Sequence, residues 1–310
     1  MSALRLAGRA ASSTVITIVT LGTLVFLAGR ALPSDPAALL LGDQASASER
    51  ASVMRALHLD QPLHVQYWHF LKGLTHLDFG ESLRRPGASA LGRAFDALLP
   101  TAELALTAVG LSTVLGLALA LLVHGPWLGR GRGWLSAGID VLAAVPLVAF
   151  APLATYVLCL RLRWVPLPGD PEARAVGLLF AASLLALPLG LQLARFARAL
   201  LAGDTRAQYL QVARSKGASE ARTLLVHALP PMSGPLTVIV ATQFGALLGG
   251  AAVLEKLFER RGLGTLLIEA YGSRDLPVLE ASVVLSGVLF ALVQGGGTLV
   301  QALLDPRVRR

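Results

Sequence analysis

The sequence predicts an all-α, polytopic membrane protein with six transmembrane helices, and three observations lead there. Six windows of at least twenty residues hold no Asp, Glu, Lys or Arg: Ala10–Gly29, Leu104–Val123, Val141–Leu160, Ala175–Ala194, Met232–Leu254 and Ala281–Leu304. A bilayer core takes about 20 apolar helical residues to cross, and a basic residue at its centre would cost roughly 2.5–3.5 kcal/mol. Only 15% of the 310 residues are charged, against about a quarter in a soluble domain, and mean hydropathy is +0.63. The charges present are also divided unevenly between the two ends of the windows.

The first window follows Arg5 and Arg9, as the apolar part of a signal peptide would. Its run of twenty residues exceeds the ~7–15 of such a segment, which favours a retained span over residues 1–30. Residues 31–99 then form the longest external piece. Within it ASASERASVMRALHLDQPLHVQYWHFLKGL reads as two short amphipathic helices broken at Asp60-Gln61-Pro62, with Ser46 or Ser48 as cap of the first. Tyr67, Trp68, Phe70 and Leu71 give the second an aromatic, apolar face suited to the headgroup level. LDFGESLRRPG reads as a turn.

Residues 100–304 hold the other five windows, and 305–310 a tail. HGPWLGRGRGW, between the second and third windows, reads as a tight basic connection. RLRWVPLPGDPEAR, before the fourth, carries prolines that exclude regular helix. EKLFERRGLGTLLIEAYGSRDLP reads as a partly buried helix beside a glycine turn.

With the N-terminus inside, segments 1–9, 124–140, 195–231 and 305–310 hold thirteen Lys/Arg against Asp140, Asp204, Glu220 and Asp305. The outside segments hold fourteen against fifteen acids. That is the asymmetry of the positive-inside rule. It accounts for the +8 net charge without a nucleic-acid partner.

Several chemistries are excluded. The three lysines, Lys72, Lys216 and Lys256, follow no phosphate-binding glycine loop, so this chain hydrolyses no ATP. Neither H-E-x-x-H nor G-x-S-x-G occurs, and no His falls inside a window, which removes an intramembrane hydrolase. His58, His64, His69 and His76 miss the i, i+4 spacing of paired metal ligands and read as interfacial residues before a metal-collecting patch. A lone Cys159 reads as packing. An ion-coupled secondary transporter would show intramembrane charge and paired broken helices; the windows show neither.

One stretch stands apart. QVARSKGASEARTLLVHALP (211–230) is basic, punctuated by Gly217, and closes on Leu229-Pro230. Its form, x-A-x-x-x-G, nine residues, then x-x-L-P, resembles the E-A-A-x-x-x-G-x(9)-I-x-L-P motif of ABC importer permeases. Gln211, Val212 and His227 stand where that motif has Glu, Ala and Ile. In register with it occur LPSDPA, LHLDQPLHVQY, LDFGES, LPTAELAL, VLEKLFERRGLGTLL, RDLPVLEASVVL and DPRVR. From Leu32 to the C-terminus the chain resembles the oligopeptide/dipeptide/nickel permeases, in particular their B-type membrane subunit.

The resemblance implies the type I importer permease fold and a multi-pass place in the bacterial inner membrane. It implies a coupling loop over about 203–230, with Gln211, Ala213, Arg214, Lys216, Gly217, Ala218 and Arg222 docking an ATPase. Implied partners are a second homologous permease, two cytoplasmic ATPase subunits that use ATP and Mg, and an external solute-binding protein. This chain itself would bind no cofactor or metal. The implied cargo is a peptide, with nickel, glutathione-like molecules and other small solutes open. Segments 31–99 and 255–277 would face the binding protein. Gly245, Gly249 and Gly250 form a small-residue face for helix packing or for lining the pathway. The family's Arg-Asn is replaced by Pro230-Pro231, expected to shorten the following helix. Gly295, Gly296 and Gly297 replace polar residues and are expected to allow close packing or a bend.

Overall fold

The computed structural model describes residues 3–31, 46–56, 59–170, 172–204 and 208–304; the LPSDPA and DPRVR motifs, His58 and Arg206 lie outside them. At its centre are two long helices, α4 (Ala90–His124) and α7 (Arg174–Asp204). Small residues let them meet: a methyl group at Gly116 would lie 2.8 Å from the Gly190 carbonyl, and one at Gly190 would lie 3.1 Å from the Ser112 carbonyl. Backbones this close are the usual device for joining helices in lipid, where hydrophobicity gives no drive between them. A buried core of Leu104, Ala105, Ala108, Ala181, Ala182 and Leu185 continues the seam.

α1 (Ala3–Ala31) precedes this pair and packs on the last helix, α13 (Leu276–Leu304). Between α1 and α4 lie α2 (Ala47–Ala56) and α3 (Leu63–His76), the two short helices expected on either side of Pro62. Phe26, Tyr67 and Phe70 form an aromatic cluster that fixes α3 against α1. The turn at 77–89 contains the isolated bridge Glu81–Ser89, and Ser89 caps α4 by accepting from the Gly92 N–H.

Five helical segments among the described residues are long and apolar enough to cross a bilayer: Thr14–Ala31, Ala90–His124, Arg174–Gly203, Glu220–Leu248 and Leu276–Gln301. The third window does not form the continuous helix expected of it. α5 (Gly131–Leu142) ends in turns at Ala143–Val145, and α6 (Leu147–Thr155) starts after Pro146 and runs on as a π-helical stretch to Arg161. The cause is Pro146, which forces Val145 away from helical backbone. Counting charges could not detect that.

The broken pair still carries the chain back across. α4 and α7 run parallel: Glu103 pairs with Arg174 at one end, while His124 shares a cleft with Arg195 and Arg198 at the other. The intervening segment must therefore return over the same thickness, as α5 and α6 in series. The basic connection at 124–140 is accordingly shorter than expected, because α5 already begins at Gly131.

Candidate functional site

The element at 208–222 is built by three local signals. α8 (Gln208–Ser215) buries Leu210 among Leu201, Leu224, Ala228 and Met232, which pins it beneath the ends of α7 and the next span. Gly217 then turns the chain at φ +85°, a conformation that costs any residue with a Cβ. The Gly217 N–H donates to Arg214 O at 2.9 Å and the Ala218 N–H to Ala213 O at 3.1 Å. This is the paired closure of a Schellman cap. Ser219 starts the next helix, its hydroxyl accepting from the Arg222 N–H at 3.3 Å.

Arg214 lies 3.8 Å from Glu220, bracing the turn from within. Gln211, Lys216, Gly217 and Arg222 are exposed, and Ala213 and Ala218 half-buried. Sequence reasoning missed the apolar part of this surface: Tyr209 and Val212, three apart on one face, are 41% and 51% exposed. The signal was their i, i+3 spacing opposite the buried Leu210.

The next span departs from expectation. It begins at Glu220, as α9 (Glu220–Arg222), continues as a π-helical stretch over Thr223–Ala228, and becomes α10 (Leu229–Gly250). Pro230 therefore neither ends the coupling element nor starts the span, and Pro230-Pro231 does not shorten it. The prolines fall where the π-helical stretch passes into α10, and the wider π register immediately before them accommodates their missing N–H groups.

On α10, a methyl group at Gly245 would lie 2.7 Å from the Phe290 ring of α13, so this position serves helix packing. Gly249 and Gly250 end α10. α13 is unbroken through Gly295–Gly297; a methyl group at Gly297 would lie 2.5 Å from the Ala241 side chain. Packing, not a bend, is what that glycine provides.

At the opposite end of the molecule lie buried carboxylates that charge counting also missed. Glu255, in α11 (Ala252–Leu257), is fully buried. α12 (Leu263–Gly272) begins at Gly262, which has no side chain to cap it. Glu255 and Thr101 supply the cap: the Thr265 N–H donates to Glu255 Oε2 at 2.9 Å, and the Leu263 N–H to Thr101 Oγ1 at 2.8 Å. The Thr101 hydroxyl in turn donates to Glu255 Oε1 at 2.5 Å. A carboxylate at the positive end of a helix dipole is favourably placed, and any side chain at Gly262 would collide with it.

Asp275 and Glu280 tie the last helix to the turn before α4, to α4 itself and to α1. Asp275 accepts from Ser82 Oγ at 2.5 Å, the Leu83 N–H at 3.0 Å and Arg93 Nη1 at 3.2 Å. Arg30, stacked on Phe26, donates to Glu280 and, at 3.2 Å, to Gln66 Oε1. Glu103 is held by Arg260 at 3.0 Å. Asp275 and Glu280 sit at the start of α13 and Glu103 within α4, and each has a basic partner.

Residues 112–310 match the family described as "Binding-protein-dependent transport system inner membrane component", and residues 3–109 match its N-terminal companion family. The glutathione transport system permease protein GsiC of Salmonella typhimurium is 33% identical over 296 residues, spanning 94% of this chain and 95% of the relative. GsiC of Escherichia coli K12 is 33% identical over the same extent. Among solved structures, an inward-facing form of the methionine ABC transporter MetNI superposes with a TM-score of 0.57 at 16% identity, covering 68% of this chain and 95% of that one. The last likeness is one of fold.

Proposed function

Because the chain belongs to the inner-membrane components of binding-protein-dependent transport systems, and is a permease subunit of an ABC importer, we propose that it imports small peptides of the glutathione class, driven through residues 208–222. The likeness to glutathione permeases over nearly the whole chain supports the cargo. The capped, outward-facing turn at Gly217 supports the drive. Its rigidity is what a lever requires: a ligand-driven change needs differential contact in two states, and a floppy loop would dissipate it.

The working unit is this subunit, a second related permease, two cytoplasmic ATPases using ATP and Mg, and an external solute-binding protein. Val212 and Tyr209 fill an apolar groove on one ATPase, while Lys216 and Arg222 meet acidic groups at its rim. Both termini of the permease lie in the cytoplasm, on the arginine-rich side. The outer layer carrying Asp275, Glu280 and the 77–89 turn receives the binding protein.

Deleting this subunit should abolish uptake of labelled glutathione or tripeptides by cells that carry the rest of the system, and restoring it should restore uptake. Restored uptake of nickel with unchanged peptide uptake would move the cargo to the metal branch of the family.

A further inference from the structure

A cleft of about 570 Å3 opens where α4, α5 and α7 meet at the arginine-rich end of the molecule. Three guanidinium groups, Arg132, Arg195 and Arg198, line it with Ser136 and a single carboxylate, Asp140. We propose that this cleft is a binding site for the phosphate headgroup of an anionic phospholipid, such as phosphatidylglycerol or cardiolipin. The inference goes beyond the transport reading and stands whatever the cargo and wherever the ATPase docks.

The arginines are placed by the fold. Arg132 Nη2 donates to Gly125 O at 2.8 Å, which sets its side chain against the end of α4. Arg198 Nη2 donates to Ser136 Oγ at 2.6 Å, joining α7 to α5. Asp140 Oδ1 lies 3.4 Å from both Arg195 Nε and Arg198 Nη1. One carboxylate cannot neutralise three guanidinium groups, each with five N–H donors. The surplus of two positive charges corresponds to two phosphodiesters. Forked guanidinium donors suit a phosphate geometrically as well as electrostatically.

Two further features favour a lipid over a free phosphate. Trp127 and Trp134, on either side of Arg132 in the chain, are 52% and 85% exposed, and large exposed indoles belong at the headgroup level of a bilayer. Val123, which lines the cleft, also belongs to the apolar cluster with Ile139, Leu191 and Ala194, so the arginines share one cleft with an apolar wall. A soluble anion would need neither feature. Basic pockets between transmembrane helices on the cytoplasmic side are the expected form of a phospholipid headgroup site. The backbone at Gly133, in the first turn of α5, is open to the cleft: a methyl group there would touch nothing within 4 Å.

The test uses the importer purified with its partner subunits. In native mass spectrometry the wild type should retain phosphatidylglycerol or cardiolipin over phosphatidylethanolamine by on the order of tenfold. The double variant R132Q/R195Q, which leaves the Arg198–Ser136 link intact, should lose that preference. Equal retention of the zwitterionic lipid by the wild type, or an unchanged preference in the variant, would overturn the site. Displacement of the lipid by millimolar inorganic phosphate would also overturn it, in favour of a free-phosphate site. A second measurement alters no arginine. In vesicles, brominated phosphatidylglycerol should quench the Trp134 emission, taken as the difference between wild type and W134F, several-fold more than brominated phosphatidylethanolamine at equal mole fraction. Equal quenching contradicts the proposal.

Discussion

Gly217→Glu should abolish solute uptake while the subunit still inserts at its normal level. The position is exposed and a methyl group there would meet nothing within 4 Å, so a longer side chain projects outward without displacing any part of this chain. Its local cost is that of a left-handed residue, about 1–2 kcal/mol, too little to unfold a protein tied together elsewhere by buried helix crossings. The damage falls on the contact beyond. A carboxylate beside Lys216 cancels the positive charge at the tip and is repelled by an acidic groove. Gly217→Asn separates the two effects, because Asn adopts the left-handed region more readily than other non-glycine residues and adds no charge. It should retain most uptake. Normal uptake by the Glu variant would remove the docking role from this turn.

Glu255→Ala should produce the largest loss of stability of any substitution at the α11–α12 end of the molecule. It strips acceptors from the Thr265 N–H and the Thr101 hydroxyl in a site with no exposed surface. An orphaned buried donor costs roughly 1–3 kcal/mol each, and the lost charge at the start of α12 adds about 0.3–1 kcal/mol, up to ~2 when partly buried. The purified protein should melt at a markedly lower temperature. Glu255→Gln keeps the shape and one accepting oxygen, and should fall between wild type and Ala. Gly262→Ala should resemble the Ala variant, since its added methyl group lands on the Glu255 carboxylate. An unchanged melting temperature for Glu255→Ala would show that α12 is not capped from α11.

What the sequence revealed and what it hid follow from range. The continuous spans were visible because a charge-free run is a local property, and the helix break before Leu63 was visible because Pro62 acts on its neighbours. Pro146 was equally local, but counting charges is blind to it, so a helix broken in two passed for one. Pro230-Pro231 misled in the opposite direction: a proline pair reads as a stop, whereas here the helix runs through it from a π-helical stretch that lies in no sequence pattern. The turn after α8 was legible through Gly217 and its basic neighbours. Its apolar half, Tyr209 and Val212, was not separated from Leu210 until the burial of that residue fixed which way α8 faces. The cap shared by Thr101 and Glu255 joins residues 154 positions apart, and no local signal announces such a pairing. The same holds for Gly116 against Gly190, two among 31 glycines.

The lever at 208–222 is tested most directly by placing a photoreactive benzoylphenylalanine at Val212, on the exposed face of α8, and irradiating the assembled importer. The account predicts one prominent adduct with an ATPase subunit, whose yield changes when ATP is added. An adduct confined to lipid or to the partner permease, or a yield indifferent to nucleotide, would contradict it.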